Sequence, residues 1–204
     1  MSHYFTYDKN LPADEIVVPY AFAGESFRFV SRAGIFAKGQ ADENSRLLLQ
    51  SLPPLRGRLC DLGCGFGLLG VVLGKVYGLD VLCTDINPLA AELAGINLAA
   101  HGVTGKAAAA DGLFGVTEQF NTVVMNPPIH AGKTTVFRLY QEARDHLVPG
   151  GYLYVVILKK HGAESTRVKL MDIFGNCETI YRKKGVFVFR GVTQTARSAN
   201  PSHG

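Results

Sequence analysis

The stretch Arg58-Leu-Cys-Asp-Leu-Gly-Cys-Gly-Phe-Gly-Leu-Leu-Gly70 decides the fold. Arg58 to Leu62 reads as a short strand. Gly63, Gly65 and Gly67 make a turn in which the backbone can approach a ligand closely. The apolar run from Leu68 to Tyr77 reads as a helix that stops at Gly78. A strand feeding a glycine-rich turn that opens a helix is the first half of a βαβ unit.

The same rhythm continues downstream. Leu79 to Thr84 reads as a strand. Asn87 caps a helix with Pro88 at its first position, ending near His101-Gly102. Gly105 to Ala110 and Asn121 to Met125 read as strands, and Thr134 to Leu147 as a helix. Pro149-Gly150-Gly151 reads as a turn. Tyr152 to Leu158 is apolar enough to sit at the centre of a parallel sheet. Ser165 to Phe174 reads as a helix, and Thr179 to Arg182 and Gly185 to Arg190 as strands. Strand and helix alternating at short spacing predict a doubly wound α/β sheet over residues 52–192. Upstream, Glu15 to Phe22 and Ser26 to Ser31 flank Gly24 as a hairpin, and Asp42 to Ser51 reads as a helix. Residues 1–51 are expected to pack on the core as an extension, with the first 15 irregular. Residues 193–204 read as a loose tail.

Composition excludes several classes. The chain has 204 residues, 47% hydrophobic and 19% charged, a globular balance. No apolar run is long enough to span a bilayer, and the N-terminus lacks the basic-then-apolar order of a signal peptide. Cys60, Cys64, Cys83 and Cys177 show no paired frame, so reduced thiols and a cytoplasmic location are expected, with no metal site. The net charge of +4 is unevenly spread. Met1 to Leu158 carries a net −2 and Lys159 to Gly204 a net +6. A basic final quarter points to a phosphate-bearing partner.

Two cofactors compete for the glycine turn. Gly65-x-Gly67-x-x-Gly70, with Asp85 about 20 residues on, matches a dinucleotide fingerprint. Asp61-x-Gly63-x-Gly65-x-Gly67 suits S-adenosylmethionine (SAM). Electrostatics favours the second. Asp61 ends the strand beside the turn, where its carboxylate repels a diphosphate but suits a sulfonium and an ammonium. Asp85, ending the second strand, is placed to accept the two ribose hydroxyls. Asp111, after the third, is placed to accept the adenine amine. Strand ends of a doubly wound sheet line one crevice, so the three acids converge.

Met125-Asn126-Pro127-Pro128-Ile129 follows the fourth strand. Each proline holds its predecessor extended. A rigid turn then presents the Asn126 amide oxygen and the Pro127 carbonyl. Two such acceptors can hold both hydrogens of a planar NH2 group and aim its lone pair at an electrophilic methyl. The sulfonium methyl is already activated, so positioning carries most of the work. The proton can leave after transfer, and a strong base is not required.

Asp61-Leu-Gly-Cys-Gly-Phe-Gly with Asn126-Pro-Pro-Ile-His resembles class I SAM-dependent methyltransferases of the small-domain type, most nearly the RsmC-like ribosomal RNA guanine-N2 family. Gly34-Ile-Phe36-Ala-Lys-Gly-Gln-Ala-Asp42-Glu-Asn-Ser45-Arg-Leu-Leu48 resembles an upstream segment of the same family. The resemblance implies a seven-stranded Rossmann-like sheet and SAM contacts at Gly63, Gly65, Asp85 and Asp111. It also implies that Asn126 and Pro127 hold the target amine of an RNA. Two departures stand out. RsmC has an N-terminal pseudo-domain that this chain lacks, and Ile129 stands where many amino-methyltransferases carry an aromatic. Phe36 is the candidate to supply the missing ring. His130, Lys133, Arg32 and Lys38 are candidates to face substrate, and Lys159, Lys160, Arg182, Lys183 and Lys184 to form an RNA-facing stripe. A glutamine-N5 or adenine-N6 methyltransferase, a small-molecule methyltransferase and a non-catalytic SAM-binding module remain as alternatives.

Overall fold

The computed structural model describes residues 15–32, 35 and 42–195. The expectations placed on residues 1–14, on Phe36 and Lys38, and on 196–204 lie outside the described residues. Strands β1 (Glu15–Phe22) and β2 (Glu25–Arg32) pair antiparallel into a hairpin. Helix α1 (Glu43–Ser51) follows, with Asp42 as its cap rather than its first residue. Then come β3 (Arg58–Leu62), α2 (Leu68–Tyr77), β4 (Asp80–Asp85), α3 (Pro88–Ala100), β5 (Gly105–Ala109) and β6 (Phe120–Met125). Helix α4 (Lys133–Asp145), β7 (Leu147–Leu158), α5 (Ala163–Phe174), β8 (Glu178–Lys183) and β9 (Val186–Val192) complete the chain. The sheet has seven strands in the order β5-β4-β3-β6-β7-β9-β8.

Alternation along the central strands explains the two layers. Leu59, Val81, Cys83, Val124, Tyr154 and Val156 point into one apolar cluster, shared with α1, α2 and α3. Cys60, Leu62, Leu82, Val123, Val155 and Ile157 point into the other, shared with α4 and α5. Strands apolar on both faces are the mark of a sheet covered by helices on both sides. Gly70 in α2 lets that helix press on the sheet: a Cβ there would lie 2.6 Å from Cys83 Sγ.

The sheet is mixed rather than all parallel. β7 pairs parallel with β6 but antiparallel with β9, so it is not the centre of a parallel sheet as its composition suggests. Pro149-Gly150-Gly151 is also not a turn between elements. It lies inside β7 as an irregularity, where the register jumps from Phe120↔Leu147 to Thr122↔Tyr152. The Thr193 hydroxyl accepts from Gly151 N at 2.9 Å and donates to Val148 O at 2.7 Å, closing the backbone groups that the bulge frees.

The chain runs outward from β3 to β4 and β5, then returns to β6 beside β3. That reversal opens a crevice at the carboxyl ends of β3 and β6. The hairpin braces one wall of it. The buried Asn97 of α3 accepts from Val30 N at 2.8 Å and donates to Val30 O at 2.9 Å and Phe66 O at 2.8 Å. Phe29 meets the Phe66 ring edge-on at 5.5 Å between centroids. No helix among the described residues is long and apolar enough to cross a membrane.

Candidate active site

A cavity of about 260 Å³ lies in this crevice. One end is lined by Asp61, Gly63, Gly65, Asp85, Ile86 and Asp111. The other is lined by Ser45, Asn126, Pro127 and Pro128. The structure thus brings both sequence motifs into one space.

The first end is made largely of backbone. Gly63 N and Cys64 N both donate to Thr84 O, at 2.8 and 2.9 Å, tying the turn to β4. Gly63 has φ of +75°, and a Cβ there would meet nothing within 4 Å, so its open face is the cavity itself. Gly67 caps α2 in the left-handed region. Asp85 accepts from Gly65 N at 2.9 Å through one oxygen and from Asn87 N at 2.9 Å through the other. Its carboxylate therefore closes the glycine turn and starts α3 while facing the cavity. Asp111 lines the same end but is solvent-exposed, and Arg138 donates to it at 2.6 Å. Arg138 also bonds Glu142, which accepts from Leu113 N at 2.9 Å. Sequence reading carried no sign of this bridge, because Arg138 lies 27 residues on, in α4.

Asp61 is 1% exposed and accepts one hydrogen bond among the described residues, from Gly70 N at 2.8 Å. Burial pushes its carboxyl up to about 7, against the lowering effect of the Gly70 bond, and the Asp85 charge adds to the rise. A buried carboxylate with a single donor favours a cation beside it. Thr84 adds a buried hydroxyl on the cavity wall with no partner among the described residues. An acid wall, an open glycine and an exposed apolar side chain at Ile86, 70% exposed, fit a cationic ligand without phosphate. The SAM expectation therefore fits, and the dinucleotide reading does not.

At the other end, Pro127 is buried, and its carbonyl accepts no hydrogen bond among the described residues. The Asn126 amide nitrogen donates to Asp42 Oδ2 at 2.7 Å and to Ser45 Oγ at 3.0 Å. Asp42 Oδ2 also accepts from Ser45 N at 2.9 Å as the cap of α1. These two residues, 84 and 81 positions away, were legible only as a helix start and part of the upstream segment. Ile129 opens a short 3-10 turn through Ala131 and is half-buried, whereas Pro128, His130 and Lys133 are exposed at the cavity rim or beyond it.

The lysines of the basic quarter lie at one edge of the sheet. Lys159 N donates to Gly185 O at 2.7 Å, which places the β8–β9 turn beside the end of β7. Each carboxylate of the basic quarter is taken: Glu164 by Arg167, Asp172 by Lys169 and Glu178 by Arg190. Lys159, Lys160, Lys183 and Lys184 are left exposed with no carboxylate partner among the described residues, at the same edge as Asn126. Arg182 instead lies over the Phe187 ring, 5.3 Å from its centroid. Arg32 forms an ion pair with Glu15 at 2.9 Å. The four cysteines are free thiols, and no metal-binding cluster occurs among the described residues.

Residues 26–190 match the family model described as methyltransferase small domain. The chain is 30% identical over 194 residues to the uncharacterized protein YbxB of Bacillus subtilis, covering 92% of this chain and 96% of that one. It is 41% identical over 140 residues to ribosomal RNA small subunit methyltransferase C of Pseudomonas aeruginosa, covering 66% of this chain and 42% of that protein. The match thus spans less than half the length of that curated relative. Among solved structures, the 16S rRNA N2 G1207 methyltransferase (RsmC) of T. thermophilus, in complex with AdoMet and guanosine, superposes with a TM-score of 0.81 at 24% identity. That match covers 90% of this chain and 52% of that one.

Proposed function

The chain belongs to the methyltransferase small domain family, a family of SAM-dependent methyltransferases, and from that premise we propose that it methylates the N2 amine of guanine in small-subunit ribosomal RNA. One observation carries the reading: a single cavity joins the acid-lined glycine turn to the Asn126-Pro127 acceptors. When bound, SAM supplies an electrophilic methyl group on a positively charged sulfur.

The chain's own residues do the rest. Gly63 leaves room for the ligand to approach the backbone, Gly65 lines the same wall, and Asp61 provides the negative field the ligand's cationic groups favour. Asp85 offers the remaining lone pairs of its carboxylate to ribose hydroxyls. Ile86 offers apolar surface to the adenine, and Asp111 lies near enough in the same wall to face its amine. Asn126 Oδ1 and Pro127 O accept the two amine hydrogens of the target base. Holding reactants in this way removes roughly 7–11 kcal/mol of barrier in well-oriented cases. Ile129 gives the base an apolar edge, and Phe36 remains the candidate ring to stack on it. His130 and Lys133 stand where the base enters.

RNA is favoured over protein as substrate by the exposed lysines at the same edge of the sheet as Asn126. Lys159, Lys160, Lys183 and Lys184 form a cationic rim whose neighbours leave it unneutralised. RsmC proteins are named for action on ribosomal RNA, in agreement with this choice. Incubation with methyl-labelled SAM and separated RNA, DNA and protein fractions tests it, followed by identification of the modified nucleoside. N2-methylguanosine in small-subunit RNA is the expected product. Label in protein alone, or SAM binding with no transfer, overturns it.

A further inference from the structure

The contacts around Asn126 carry a second conclusion, which rests on the reading of that residue as the amine holder. An asparagine amide has two donors on nitrogen and an acceptor oxygen, and it can turn over to present either face. Asn126 does not have that freedom. Its nitrogen lies 2.7 Å from a carboxylate oxygen of Asp42, and a carboxylate can only accept. Ser45 Oγ takes the second N–H at 3.0 Å. Both donors are spent, so the oxygen is the face left for the cavity. No donor among the described residues reaches it.

We propose that Asp42 and Ser45 are positioning residues that lock Asn126 as a pure acceptor, and thereby select a target group that donates two hydrogens. A free asparagine at this turn would accept from an amine in one orientation and donate to a carbonyl in the other. The locked one leaves a carbonyl target facing two oxygens, Asn126 Oδ1 and Pro127 O, without a donor. The carboxylate also polarises the amide through a charge-assisted bond, which makes its oxygen a stronger acceptor. The lock is rigid because Asp42 is held in turn. It caps α1 through Ser45 N at 2.9 Å, and the helix is anchored by buried Ser45, Leu48 and Leu49.

The test is a swap at the two positions. Asp42 Oδ2 serves Ser45 N and the Asn126 nitrogen together. In Asp42→Asn an amide oxygen at that position therefore keeps both bonds and removes only the charge. Asp42→Ala removes the acceptor itself, whereas Ser45→Ala removes the second acceptor while leaving the cap in place. In Asn126→Asp two carboxylates meet. Asp42→Ala and Asn126→Asp are each expected to lower kcat by about 10²-fold or more, in the range seen when one catalytic hydrogen bond is lost, with SAM affinity within about twofold, and Asp42→Asn to lower it by less than Asp42→Ala. The double variant, Asp42→Asn with Asn126→Asp, removes the meeting of two carboxylates and lets the new amide nitrogen turn to the carboxylate at 126 in exchange for the Ser45 N cap, with a carboxylate oxygen left toward the target. It is expected to regain about tenfold or more over Asn126→Asp, a coupling that a purely structural role would not produce. A readout independent of substrate is the side-chain NH2 signal of Asn126 in NMR spectra. In the wild type it should exchange slowly with solvent, and in Asp42→Ala it should lose that protection. Additive losses in the double variant, or an unprotected wild-type amide, overturn the lock. Failure of the wild type to methylate any amine overturns the underlying reading instead, and the NMR signal tells the two apart.

Discussion

The two ends of the cavity are built in different ways. The cofactor end is local: Asp61 to Gly70 supply the turn, and Thr84 to Asn87 tie it down across one neighbouring strand. The target end is assembled from distant pieces, with Asn126 held by Asp42 and Ser45 from the other side of the chain. A local site made of backbone tolerates side-chain change except where an acid or an open glycine is required. A distant site made of side chains fails when any one member is altered. Substitutions at the two ends should therefore separate binding from turnover.

The largest separation is expected at Asn126. Asn126→Ala removes one of the two proposed amine acceptors and should lower kcat by about 10³-fold, at the upper end for loss of one preorganised hydrogen bond. SAM affinity, measured by calorimetry, should stay within about twofold. Comparable losses in both would mean that the two ends are not independent.

Asp61 probes the opposite end through pH. Its folded carboxyl titrates near 7, against 3.8 for an ordinary aspartate. A cationic ligand favours the ionised form, so SAM affinity should rise with pH from 5 to 7, by up to about tenfold per unit, and level off above. Asp61→Asn should flatten that profile and weaken binding at pH 8 by about tenfold or more. Stability of the ligand-free protein runs the other way. The folded state holds its proton more tightly than the unfolded chain. That contribution is full below pH 4 and is lost as pH rises through 7. Thermal unfolding at pH 5.5 and 8 should show this slope in the wild type and lose it in Asp61→Asn. The same pH profile in both proteins would assign the effect elsewhere.

The basic rim should matter less and only for the substrate. Lys183→Glu with Lys184→Glu is expected to raise KM for RNA by about tenfold at low salt and to reduce the salt slope by about 2, one for each lost phosphate contact. SAM affinity and kcat should hold. An unchanged salt slope would make the charge asymmetry of the chain incidental.

These differences follow what the sequence could and could not reveal. The glycine turn and the acids after each strand were readable because strand, turn and ligand contact are contiguous. Alternation of strand and helix at short spacing gave the helices on both faces for the same reason. Asp42 was visible as a helix start and as part of a family segment, but not as the partner of Asn126. A side-chain bond across 84 positions leaves no periodic trace. The bulge inside β7 was hidden by Pro149-Gly150-Gly151, whose composition signals a turn, while tertiary pairing with β6 and β9 continues the strand through it. The Asp111–Arg138 pair was hidden in the same manner as Asp42.

Asn97 gives the smallest effect on activity and tests whether the brace belongs to the cofactor end or only to the fold. Its amide satisfies three backbone groups, two on Val30 of the hairpin and one on Phe66 of the glycine turn. Asn97→Ala leaves those groups inside the protein without partners, at a cost of about 1–3 kcal/mol for each buried group that water cannot reach. For a chain of this size that corresponds to about 2–4 °C in Tm per kcal/mol. The turn itself stays tied to β4 through Gly63 N, Cys64 N and Asp85, none of which involves the hairpin. Below the transition, SAM affinity and kcat should therefore remain within about twofold while Tm falls by several degrees. A loss of SAM affinity larger than the loss of stability would show that the hairpin shapes the turn, and that the cofactor end also depends on distant contacts.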